Sequence, residues 1–177
     1  MALTILRQIG LALIVVVVCN LLHEAGHLVA AKALGYDAVA RINSVSIIGG
    51  AASWRDAALV DAAGPLVTLL LAIIGVMLSK RGSTLGPTIV FAALMMRILA
   101  TAVSVQAPND EARISEALGL GIWILPALVV GLLAILMLVG ARRSGIGWRW
   151  LAGAWIGASL GFTAVVFGEG YLPAITL

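Results

Sequence analysis

Only two histidines occur in the chain, His23 and His27, and a glutamate, Glu24, follows the first of them. On an α-helix, residues four apart share a face and lie about 6 Å from each other along the axis. Two imidazoles spaced in this way can bind one metal ion. Glu24, beside the first, can then reach a metal-activated water and act as general base in its attack on a carbonyl. The alternative is that all three are polar residues satisfied by neighbours in a helix bundle.

The surroundings favour the metal. Of the 177 residues, 62% are hydrophobic and 11% charged, with a mean hydropathy of +1.14; soluble domains carry about 25% charged residues. Such a chain cannot cover a water-facing surface, so its solvent is largely lipid. Ionisable groups within a membrane helix cost several kcal/mol unless they are paired or coordinated. The net charge of +3 and pI of about 9.6 do not point to nucleic acid. The cations stand singly or in pairs between apolar runs, with no basic stripe and interleaved aromatics, and read as interfacial residues. The lone cysteine, Cys19, allows no intramolecular disulfide. The N-terminal run lacks a small-residue cleavage site before Asn20 and reads as a retained span rather than a signal peptide.

A crossing helix needs about 20 apolar residues. Five segments qualify: about Leu3 to Leu34, Asp56 to Leu78, Leu85 to Val105, Leu120 to Val139, and Trp148 to Phe167. Between the first two, residues Val39 to Ile48 alternate in a β pattern before Gly49-Gly50, which predicts a surface β-hairpin turning at the glycines. Gln106 to Gly119 holds the densest charge and predicts a loop followed by a short amphipathic helix. The expected fold is an all-α membrane protein: a polytopic bundle of about five spans with a small surface β-hairpin, forming one transmembrane domain over residues 1–177. Two aspartates fall at the depth of the histidines. Asp110 follows the third span, which runs parallel to the first, and Asp61 opens the second. Either can complete a metal site, and Asp61 can instead bond a histidine ring N–H from behind.

The His23-Glu24-Ala25-Gly26-His27 segment resembles the HExGH signature of site-2 proteases, the intramembrane zinc metalloproteases. Ala63-Gly64-Pro65-Leu66 is similar to an AGPL segment of that family, and Asp110 in Pro108-Asn109-Asp110-Glu111 is the best match to its ligand aspartate. The resemblance covers residues 5–115, a three-span core, leaving 120–177 as two additional spans. Glu111 stands where the family has glycine, and Thr68 where it often has asparagine. The resemblance implies a zinc ion held by His23, His27 and Asp110, Glu24 as catalytic base, and Asn109 as a candidate for steadying the oxyanion. It also implies cleavage of a membrane protein substrate within or beside its transmembrane segment, and a place in the cell membrane. A catalytically inactive metal- or partner-binding relative is the alternative; an ion transporter ranks behind it, since no second polar cluster exists.

Other residues read more plainly. Cys19 is expected as a small buried hydrophobe, Met95 and Met96 as core or lipid contacts, and Trp148, Trp150 and Trp155 as interfacial anchors. Arg97 needs a buried acid as partner. Asn20 can bond near the site or between helices. The hairpin edge is expected to clamp an extended substrate by strand addition. Placing Arg7, Lys80, Arg81, Arg142, Arg143 and Arg149 inside satisfies the charge rule, whereas the resemblance implies the opposite orientation, with the site near the cytoplasm. Nothing in the sequence fixes the substrate or the oligomeric state.

Overall fold

The computed structural model describes residues 2–177. Its elements in order are α1 (Ala2–Ala33), β1 (Ala38–Ala40), β2 (Val45–Ile47), α2 (Trp54–Leu78), α3 (Leu85–Val103), α4 (Asp110–Ala117), α5 (Ile124–Ser144) and α6 (Trp148–Gly168). A 3₁₀ turn (Glu169–Tyr171) and β3 (Ile175–Thr176) follow. Five of the helices are long and apolar enough to cross a membrane, so this is a multi-pass membrane protein. Ile14 to Val18 is an unbroken β-branched run that favours strands in water. In lipid every backbone polar group must be satisfied within its own segment, and the run is helical.

The fourth span starts later than its hydropathy suggests and ends later as well. Gly119 and Gly121 take positive φ and Pro126 sits in the first turn, so the chain cannot become helical before Ile124. Arg142 and Arg143 lie within the last turn rather than beyond it, and Gly145 in the left-handed region closes the helix.

Helices α1, α2 and α3 pack against one another, with α6 along α1 and α5 along α3. Helix α2 shows Leu66, Leu70, Ile73 and Met77 outward, a lipid-facing stripe at helical spacing. Helix α6 is no appendage. It lies along α1, with Gly153, Gly157 and Gly161 against Gln8, Ile9 and Val16. A Cβ at Gly157 would collide with the Ile9 carbonyl oxygen, so small residues set the helix separation, as is usual where lipid supplies no hydrophobic drive for association. Trp150 is not an interfacial anchor: it is 8% exposed, edge-on to Phe91 in the core, whereas Trp148 and Trp155 stay exposed. Cys19 and Met96 are core residues in that same cluster.

The hairpin forms, but with a different turn. Strands β1 and β2 pair with Val39 opposite Ser46, and the chain reverses at Arg41–Ser44, where the Arg41 amide donates to the Ser44 carbonyl. Gly49 and Gly50 instead carry the chain away from β2 towards α2. Asn20 decides between the two: its side-chain amide donates to the Ile42 carbonyl at 2.8 Å and pins the reversal to α1. Strand β3 covers the other edge of β1, giving the order β2-β1-β3 and leaving the outer edge of β2 free.

Candidate metal centre

The histidines project from one face of α1 towards α2, as their spacing requires. Their rings stand edge to face, with centroids 4.7 Å apart and Nε2 atoms at 3.1 Å. Both are nearly buried. Each outer nitrogen is held from α2: His27 Nδ1 lies 2.7 Å from the Val60 carbonyl oxygen and His23 Nδ1 2.9 Å from Thr68 Oγ1. A carbonyl only accepts, so His27 carries its hydrogen on Nδ1. The Thr68 hydroxyl donates back to the Gly64 carbonyl, which leaves its oxygen to accept from His23 Nδ1–H. Both Nε2 lone pairs therefore point at the same small volume.

Helix α2 can approach this closely because of Gly64. A Cβ there would collide with His27 Nε2 and stand 2.6 Å and 2.7 Å from His23 Cε1 and Nε2. Val60, Gly64 and Thr68 repeat every four residues, so one face of α2 supplies an acceptor, a gap and a second acceptor.

Helix α4 brings the third group. Asn109 caps it, its side chain accepting from the Ala112 amide at 2.8 Å, and this sets Asp110 at the first helical position. Asp110 Oδ2 lies 3.3 Å from His23 Nε2 and 3.6 Å from His27 Nε2. Burial by itself would raise the Asp110 carboxyl, but the positive charge of Arg97 beside it and the closeness of the His23 and His27 rings lower it. The group is held well below the usual carboxylate range. The ligating atoms of His23, His27 and Asp110 all lie within 4.8 Å of one another. Three ligands at about 2.0–2.1 Å from a tetrahedral ion stand roughly 3.3 Å apart, and the three separations found here bracket that value. The residues present fit a divalent metal with an open fourth position.

Asp61 does not touch a histidine ring. It forks to Arg113, Nη2 to Oδ1 at 2.6 Å and Nε to Oδ2 at 2.9 Å, and Arg113 Nη2 also donates to Asp110 Oδ1 at 2.9 Å. Asp61 thus stands behind the aspartate, because Arg113, one turn along α4 from Asp110, lies between them. These contacts push the Arg113 guanidinium up from its ordinary value, the bond to Asp61 being the largest cause.

Arg97 finds its acids in α4. Nη1 donates to Asp110 Oδ2 at 3.0 Å and to both Glu111 oxygens at 3.2 Å, and Nη2 lies 3.4 Å from His23 Nε2. Glu111 is 3% exposed, so the residue standing in place of glycine is the counter-ion that a buried arginine needs. Asp61, Asp110 and Glu111 face only two positive charges, Arg97 and Arg113, and a net negative charge remains for a cation to meet. Glu24 is half-buried and lines the same cavity, of about 590 Å³, which reaches Asn109 and the hairpin at Ser44 and Val45. The Asn109 Nδ2 is buried there without a hydrogen-bond partner. Cys19 is not in the cluster.

Sequence reasoning missed Thr68 as a histidine partner and Gly64 as the gap; their four-residue spacing within an apolar span was the available signal. Glu169 accepts from the Ser44 hydroxyl, tying the end of α6 to the hairpin. Comparison of the chain with protein-family models, with curated proteins and with solved structures returned no match.

Proposed function

We propose that this protein is an intramembrane zinc metalloprotease of the site-2 protease type, hydrolysing a peptide bond within or beside a substrate's transmembrane segment. The observation that carries the reading is the convergence of His23 Nε2, His27 Nε2 and Asp110 Oδ2 at tetrahedral ligand spacing beside an accessible carboxylate, Glu24. These three residues would hold the ion. Zinc, when bound, supplies Lewis-acid activation of water and of the scissile carbonyl.

The remaining chemistry belongs to the chain. Glu24 accepts the proton of the attacking water and returns it to the amide nitrogen as the C–N bond breaks. Asn109 Nδ2, its amide oxygen committed to the helix cap, is a free donor for the developing oxyanion. Arg97 adds positive charge on the same side of His23. Thr68 and Val60 fix the ring orientations, and Arg113 with Asp61 holds the aspartate. The free edge of β2 offers backbone groups to an extended substrate. Two features support retained activity over mere binding. Glu24 is present although a binding site does not need it, and the cavity is large enough to admit a peptide.

The test is purified full-length protein, its zinc content measured and its cleavage read on a set of tagged single-span membrane segments. Glu24→Gln is expected to keep stoichiometric zinc and lose cleavage, whereas His23→Ala and His27→Ala lose both. Wild-type protein without stoichiometric zinc under zinc-replete conditions would sink the proposal. Zinc without cleavage of any segment favours the inactive relative.

A further inference from the structure

The end of the bundle away from the metal centre has its own chemistry. Helices α1, α3 and α6 begin there, and α2 and α5 finish there. Along α1, the sixteen residues from Arg7 to His23 put this end about 24 Å from the histidines at 1.5 Å per residue. It gathers Arg7, Lys80, Arg81, Arg142, Arg143 and Arg149. All eight acidic residues of the chain lie towards the other end, from Glu24 in the second half of α1 to Glu169 beyond α6.

Within this basic end, α1, α3 and α6 enclose a cavity of about 430 Å³, walled by Thr4, Arg7, Gln8, Thr84, Arg149 and Trp150. No carboxylate lines it. Among the described residues, Arg7 and Arg149 make no ion pair. Helices α3 and α6 both start without a side-chain cap and without an acid in the first turn, so their leading amide N–H groups and positive dipole ends stay uncompensated. Trp150 adds a separate observation: it is 8% exposed and its indole N–H has no partner among the described residues. Donors, two cations and the starts of α3 and α6 surround one opening, and among the described residues nothing negative answers them.

We propose that this cavity binds the phosphate of an anionic phospholipid headgroup, with Arg7 and Arg149 as its cationic walls. Guanidinium groups suit phosphate because their planar forks donate two hydrogen bonds at once. Helix starts are anion sites for the same electrostatic reason. The source is lipid because the opening sits where three spans begin, beside exposed Leu6, Leu85 and Trp148, which offer apolar surface to acyl chains. The charge rule puts such a basic end in the cytoplasm, whose leaflet carries the anionic lipids. The metal centre then lies towards the opposite leaflet, against the orientation that the resemblance implies.

The test is native mass spectrometry of the detergent-solubilised full chain, titrated separately with phosphatidylglycerol, phosphatidylcholine and inorganic phosphate. Phosphatidylglycerol adducts are expected to form at concentrations at least tenfold below those of phosphatidylcholine, and phosphate alone is expected not to compete. The double variant Arg7→Gln/Arg149→Gln is expected to lose that tenfold preference. Arg81→Gln/Arg142→Gln removes the same charge outside the cavity and is expected to keep it. Thermal unfolding in zwitterionic detergent checks that both variants are folded; if the first is not, Arg149→Gln alone stands in for it. Equal binding of the two lipids, equal loss in the two double variants, or competition by free phosphate at lipid-like concentration each overturns the headgroup site.

Discussion

Replacing Gly64 with alanine adds a single methyl group and no charge, yet the structure puts that methyl between the Nε2 atoms of His23 and His27, the candidate metal ligands. It would overlap His27 Nε2 and stand 2.7 Å from His23 Nε2. Non-bonded heavy atoms are comfortable near about 3.5 Å, so the His23 ring must retreat by roughly 0.8 Å and the His27 ring by more, or α2 must move away from α1. Metal distances tolerate only about 0.2 Å of error. Losing an outer partner of a ligand costs about 10–100-fold in affinity, and displacing both rings from Thr68 and Val60 should reach at least the upper figure. We expect Gly64→Ala to bind zinc roughly 100-fold more weakly or worse, read by competition with a chromophoric chelator and by metal content after purification. Gly10→Ala is the control: a Cβ there meets nothing within 4 Å, and its zinc affinity should match the wild type. If folded Gly64→Ala, judged by its melting transition, took up zinc like the wild type, the rings would not be seated against α2 as described.

Thr68→Val keeps the shape but removes the acceptor for His23 Nδ1; zinc affinity is expected to fall about 10–100-fold and stability by about 1–3 kcal/mol for the stranded buried N–H, and an unchanged chelator titration would contradict this. Arg97→Leu strands Glu111, which is 3% exposed, and should destabilise by about 3–5 kcal/mol. The double variant Arg97→Leu/Glu111→Leu should recover much of that loss in denaturant unfolding, and failure to recover would mean that the pair is not the main stabilising contact. At the hairpin, Val39 and Ser46 form the hydrogen-bonded pair, so the Val45 N–H points to the free edge. Val45→Pro removes that donor without breaking the ladder to β1. It is expected to keep full zinc content and to impair cleavage by roughly tenfold, the value of one lost net hydrogen bond; unimpaired cleavage would reject the clamp.

The membrane bundle, its helices and the His23–Glu24–His27 face of α1 were legible from residues alone. Hydropathy over some twenty positions and a four-residue spacing are properties of one segment, and lipid forces such a segment to satisfy its own backbone as a helix. The late start of α5 and the true turn at Arg41–Ser44 were not legible, because each depends on a partner distant in the chain or on how glycines are used. The choice between Asp61 and Asp110 as third member of the cluster was open for the same kind of reason. Both sit at the right depth, and only the docking of α4 against α2, with Arg113 taking Asp61, leaves Asp110 facing the rings. Arg97 could be read as needing an acid but not as sharing Asp110 and Glu111. Gly64 stood out as part of a motif, and only the packed pair of helices gives its reason: no side chain fits where two imidazoles already are.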